Sequence, residues 1–139
     1  MTVSLKARDL MDTNFLALDG PTSVLAAIKK MAEKNIWSVI VEERGLPTGV
    51  VTDRDTLRRC LAKGLDPASV NLTQIMSSPI ITTGPDSHVG EIMQLMVDKA
   101  IRRIFIVDGG RVVGRVTQTM LFEDSLNVMM SLSSMRYQM

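Results

Sequence analysis

Apolar and polar positions along the chain follow two rhythms in a fixed order. Val24, Ile28, Met31 and Ala32 recur at helical spacing while Lys29, Lys30, Glu33 and Lys34 take the opposite face, which predicts an amphipathic helix capped by Thr22 or Ser23. Ile36 to Val41 reads as a buried strand, Glu43-Arg44-Gly45 as a turn, and Val50-Val51 as a strand that closes a hairpin. A helix from about Arg54 to Ala62 follows and stops at Gly64. Ahead of this series, Leu5 to Met11 predicts a short lead-in helix or turn, and Phe15 to Leu18 an extended piece ended by Asp19-Gly20-Pro21.

After Asp66-Pro67 the same order returns: Ile75-Met76, Ile80 to Thr83, Gly84-Pro85, a helix from Val89, a strand from Ile104, the turn Gly109-Gly110 and a strand around Val116. An ungapped offset of 65 residues aligns Met11 with Met76, Val24 with Val89, Met31 with Met96, Lys34 with Lys99 and Ile36 with Ile101. It also aligns Gly45 with Gly110, Gly49 with Gly114 and Thr52 with Thr117. The chain is therefore read as two repeats, 1–64 and 70–139, joined by a linker at 65–69. Each is an α/β (α+β) unit, a small sheet with flanking helices. A small sheet buried on one face needs a partner, so the copies are expected to pack about a pseudo-twofold axis. Beyond Phe122, the residues Leu126, Val128, Met129, Met130, Leu132 and Met135 predict a broad-faced helix serving both core and self-association.

Composition narrows the class. The 139 residues suit one compact domain or two halves sharing a core, and 45% apolar content with 4% aromatic and 11 Met makes that core aliphatic. A net charge of +1 lacks the basic excess that accompanies phosphate-backbone binding, so no nucleic-acid partner is expected. The single cysteine, Cys60, excludes an intramolecular disulfide and a Cys-based zinc site, and its neighbours Leu57 and Leu61 predict a buried thiol. No run approaches the roughly 18 apolar residues a membrane span needs. Lys6, Arg8 and Asp9 stand where a secretory segment would be apolar, so the expected location is cytoplasmic. No Ser-His-Asp set, HExxH, GxxxxGK[ST] or Cys/His cluster is present. His88 is expected to be an exposed residue at a helix start, and Asp53 with Asp55 lacks the further acids of a metal site. Hence no catalytic residue and no metal ligand is nominated, and the chain is not expected to be an enzyme.

The most informative stretch is Gly49-Val50-Val51-Thr52-Asp53-Arg54-Asp55, a strand running into a helix. Its second copy, Gly114-Arg115-Val116-Thr117-Gln118-Thr119-Met120, keeps the glycine and the threonine and lacks the final acid. Thr52 and Asp55 are spaced for a capping box, and the helix start they cap also offers free amides and a positive dipole end to an anion.

The pattern Gly-hydrophobic-hydrophobic-Thr/Ser-x-x-Asp, repeated in register, resembles the CBS domain. The pair, from about Leu5 to Phe122, resembles a stand-alone CBS tandem, or Bateman module. The resemblance implies a regulatory or sensor module that binds AMP, ADP or ATP, with S-adenosylmethionine less favoured, in a cleft between the repeats. It implies no cofactor, a homodimer, and a partner protein that receives the signal. The alternative is a ligand-independent scaffold acting through the Met-rich C-terminal helix. Carried onto these residues, the resemblance puts Asp55 on the ribose hydroxyls, with Thr52 and Arg54 beside it. Arg102 and Arg103, aligned with the uncharged Trp37-Ser38, go to phosphate, and Ser78, Pro79, Ile80, Ile81 and Thr82 form the wall for the base. Capping and nucleotide contact by Asp55 both remain open at this stage. The symmetry-related cleft would use Asn14, Phe15, Leu16 and Thr117, but Met120 replaces its acid, so that cleft is expected to bind weakly or not at all. One site per chain is the expectation.

Overall fold

The computed structural model describes residues 5–137, with side chains through residue 134. Helix α1 (Ala7–Leu10) and strand β1 (Leu16–Asp19) precede α2 (Val24–Lys34), the hairpin β2 (Ser38–Glu43) and β3 (Leu46–Thr52), and α3 (Asp53–Arg59). The second repeat has α4 (Leu72–Ile75), β4 (Thr82–Thr83), α5 (Val89–Lys99), β5 (Arg103–Asp108), β6 (Arg111–Thr117) and α6 (Gln118–Tyr137). Each repeat makes a three-stranded sheet, β1-β2-β3 or β4-β5-β6, whose first pair is parallel and whose second is antiparallel. Even the bulges correspond, at Val41/Glu42 and at Ile106/Val107.

Local chemistry explains the elements. The Ser23 hydroxyl caps α2 by accepting from the Ala26 amide at 3.1 Å, and the helix buries Val24, Ala27 and Met31 against the first sheet. The helix expected to reach Ala62 leaves α geometry at Arg59. Leu61–Lys63 forms a 3-10 turn closed by Gly64 at φ 70°, a left-handed conformation that glycine adopts without steric cost. Cys60 is buried, as expected, yet Leu57 and Leu61 beside it are exposed; the thiol sits in the first core with Val24 and Ile75.

The two cores are not divided where the chain divides. Val70, Leu72 and Ile75, which open the second repeat in sequence, are buried with Met31, Val39 and Val51 of the first. Ala7, with Leu10 and Met11 against it, is buried with Ile92, Ile104 and Val116 of the second. The backbone bonds are exchanged in matching pairs. Ala7 N donates to Ser87 O (2.8 Å) and Val89 N to Leu5 O (3.0 Å), while Leu72 N donates to Thr22 O (3.0 Å) and Val24 N to Val70 O (2.8 Å). The 65–69 segment is tied down as well, with Pro67 O accepting from Leu25 N at 3.0 Å.

The C-terminal helix departs from expectation. Leu121 is buried, but Phe122, Leu126, Val128, Met129, Met130 and Leu132 are all exposed, so this part of α6 adds nothing to the core. The side chain of Met135 lies outside the described residues. His88 is exposed at the N-cap of α5. Among the described residues, no helix is long and apolar enough to cross a membrane, and no group of three or more His, Cys, Asp or Glu could hold a metal ion.

Candidate functional site

Strand β3 delivers the chain into α3 at Thr52, the N-cap. The Thr52 hydroxyl accepts from Asp55 N at 3.2 Å, and Asp55 Oδ2 accepts from Thr52 N at 2.9 Å and from the Thr52 hydroxyl at 3.1 Å. This completes a capping box, and it divides the carboxylate. Oδ2 is engaged by the cap, while Oδ1 lies 3.9 Å from Arg59 Nε. Of the two carboxylate oxygens that the resemblance would give to a ligand, the cap thus leaves mainly Oδ1 available as an acceptor.

In front of Asp55 lies a cavity of about 290 Å³, near the lower limit for small-ligand pockets. Thr52, Arg54 and Asp55 line it from the first repeat; Pro79, Ile80, Ile81, Arg102 and Arg103 line it from the second. The chain thus brings eight of the ten expected residues of this cleft together. Ser78 and Thr82 are not among the lining residues: Ser78 is exposed next to the cis Ser78–Pro79 peptide, and Thr82 pairs with Phe105 as the start of β4. Ser77 lines the cavity instead.

Sequence reasoning missed Val50, Asp53, Arg58, Arg59, Ala100, Ile101 and Phe105, which also face the cavity. The i,i+4 spacing of Asp55 and Arg59 was an available signal. Arg59 donates to Ile75 O (3.1 Å) and Met76 O (3.0 Å), fastening α3 to the last carbonyls of α4. Arg103 is the unusual cation. Its guanidinium reaches across the repeats to Trp37 O at 3.3 Å, and its Nε is buried with no hydrogen-bond partner among the described residues. Burial pushes it below the usual arginine range; Asp53 and Asp55 pull it back, while Arg115 and Arg102 oppose them.

The other cleft is built differently. Thr117 Oγ1 accepts from Met120 N at 3.2 Å, so the cap survives without its reciprocal acid. Asn14 and Phe15 lie between α1 and β1, and Leu16 opens β1 and packs against the first core. Arg115 Nε donates to Asn14 O at 2.9 Å and its Nη2 pairs with Asp12 Oδ2 at 3.1 Å. The Asn14 amide donates to Asp12 Oδ1 at 2.9 Å. That bond holds the Asp12 carboxyl below its ordinary value of 3.8; burial opposes it and Arg115 adds to it.

With this geometry in view, the comparisons decide the family. CBS domain matches cover residues 7–62 and 72–126. The chain belongs to the CBS domain family. Its CBS pair is similar to an uncharacterized protein of Methanopyrus kandleri, 44% identical over 100 residues that cover 70% of this chain and 51% of that one. The chain therefore spans about half the length of that relative. An uncharacterized conserved protein from Pyrococcus horikoshii has the same α+β architecture, with a TM-score of 0.81, 28% identity and coverage of 90% of this chain and 95% of that one. The CBS domain pair of protein MJ0100, in complex with 5′-methylthioadenosine and S-adenosyl-L-methionine, superimposes with a TM-score of 0.78 at 24% identity, over 87% of this chain and 95% of that one. This last likeness is one of fold.

Proposed function

We propose that this CBS pair binds one adenine nucleotide per chain in the Asp55 cleft and, through the relative set of its repeats, signals occupancy to a partner protein. The observation that carries the reading is Arg103. Arg103 lines the cavity while burial disfavours its charge, a cost that an anion in the cavity would offset. Arg54, Arg58 and Arg102 stand around the same space, against Asp53 and Asp55, so the cavity is net cationic and suits a phosphate. Asp55 Oδ1 remains for a ribose hydroxyl, and Val50, Ile80 and Ile81 supply apolar surface for a base. Because the lining comes from both repeats, a ligand there would favour one relative arrangement over others, which is what regulation requires.

Calorimetry with AMP, ADP, ATP and S-adenosylmethionine on ligand-stripped protein tests this. Saturation near one nucleotide per chain, weakened by salt, supports it; no binding of any of the four refutes it. A second reading, a scaffold that recruits partners or a second copy without ligand, rests on the exposed apolar residues of α6. Unchanged partner or self-association in nucleotide-stripped and saturated protein would favour the scaffold.

A further inference from the structure

Val50 and Arg115 occupy equivalent positions of the two repeats and make the same backbone pairs across the junction. Val50 exchanges N–H···O bonds with Ser77 at 3.0 and 2.9 Å, and Arg115 exchanges them with Asp12 at 2.9 and 2.9 Å. The following residue, Val51 or Val116, is fully buried in its own core, so positions 50 and 115 face the other way, toward the clefts between repeats. Val50 ends short and lines an open cavity. Arg115 extends across its cleft to the Asn14 carbonyl and the Asp12 carboxylate, and its side chain is only 16% exposed. Asn14 is the counterpart of Pro79, which belongs to the wall of the open cavity.

We infer that Arg115, held by Asp12, is a built-in occupant of the second cleft: its guanidinium takes the wall acceptor and the space that a nucleoside would need there. This rests on reading the open cleft as a nucleoside site. The remaining counterparts agree with it. Glu123 and Asp124 stand where the open cleft has Arg58 and Arg59, and Trp37-Ser38 where it has Arg102-Arg103. A phosphate would be repelled at the second cleft for reasons unrelated to Arg115, so the informative probe is adenosine itself.

Adenosine bound at saturation is counted by equilibrium dialysis on three folded chains: the parent, Met120→Asp, and Asp12→Ser/Arg115→Val/Met120→Asp. The triple variant removes both charges together, so neither is left unpaired, and supplies the missing acid. The expected result is one more adenosine per chain in the triple variant than in the parent, and no gain in Met120→Asp. A triple variant that binds no more than the parent overturns the inference, and so does a gain from Met120→Asp alone. If the parent binds none and the triple variant one, the occupant role of Arg115 stands, and the nucleotide reading of the open cleft is decided separately by the calorimetry with AMP, ADP and ATP. Should valine at 115 prevent folding, Asp12→Ser/Arg115→Met/Met120→Asp keeps apolar bulk on the strand. Its adenosine count is read the same way.

Discussion

Met76 packs over Gly49 so closely that a Cβ on the glycine would lie 2.7 Å from the methionine sulfur. The methionine opens one repeat and the glycine belongs to the signature of the other. The converse pair repeats the contact, with Met11 Sδ 2.7 Å from a Cβ on Gly114. The two matching distances are the signature of exchanged openings: each repeat is completed by the first turn of its partner.

The two glycines are nevertheless not equivalent. A Cβ at Gly49 also meets the backbone oxygen of Ser77 at 2.8 Å, which cannot rotate away, whereas at Gly114 all three nearest atoms belong to the Met11 side chain. Gly49→Ala is expected to destabilise by about 2 kcal/mol or more and Gly114→Ala by about 1 kcal/mol, the order expected of rigid and yielding overpacking. Urea unfolding of both variants measures the difference; equal costs would contradict it.

Asp55 carries two duties that substitution can separate. Asp55→Asn keeps an acceptor for the cap and removes the charge, so it should unfold within about 1 kcal/mol of the parent yet bind nucleotide about ten- to a hundredfold more weakly. Asp55→Ala loses the cap as well and should show both deficits. Calorimetry paired with thermal melts distinguishes the two, and an Asn variant of unchanged affinity would take Asp55 out of ligand contact.

Arg103 should show opposite signs in the empty and loaded protein. Burial without a full set of partners makes its charge costly, so Arg103→Met is expected to leave ligand-free stability unchanged or raise it by about 1 kcal/mol, a few degrees in Tm. Nucleotide affinity should fall by about tenfold or more. A variant that melts lower and binds normally would show a purely structural arginine.

Asp12 predicts a pH dependence with a definite sign. Its carboxyl is held below 3.8 in the folded chain, chiefly by the Asn14 amide and then by Arg115, so the stability it contributes is present above that value. It is lost as the pH falls through the lowered folded value. Asp12→Asn should therefore be less stable than the parent by at most about 1 kcal/mol at about pH 5, and the gap should close toward about pH 2. Urea midpoints of both chains across that range measure it, and a gap that widened on acidification would contradict the assignment.

The repeat was legible because every anchor, from Met11/Met76 to Thr52/Thr117, keeps the same offset. Of the eight expected residues that line the Asp55 cleft, Thr52, Arg54 and Asp55 lie in the strand-to-helix motif itself, while Pro79, Ile80, Ile81, Arg102 and Arg103 came only with the resemblance to CBS pairs. The exchange of openings was not legible: periodicity says that Ala7 and Leu72 are apolar and face inward, and is silent on which sheet they cover. The C-terminal helix misled for a related reason. Apolar residues distributed around a helix look like core, and only the absence of a facing layer shows Val128 and Met129 to be exposed. Arg115 could have been found by asking why a strand that aligns with Val50 carries a charge on its junction face.

The exchanged openings also set a timetable for a chain emerging from a ribosome. The first core has all its members once Ile75 and Met76 have appeared, so that half can close early. Ala7, Leu10 and Met11 were made long before, yet the sheet they cover ends at Thr117 and their core includes Leu121. Helix α1 must therefore wait, without the core it belongs to, until β6, the last strand among the described residues, has been synthesised.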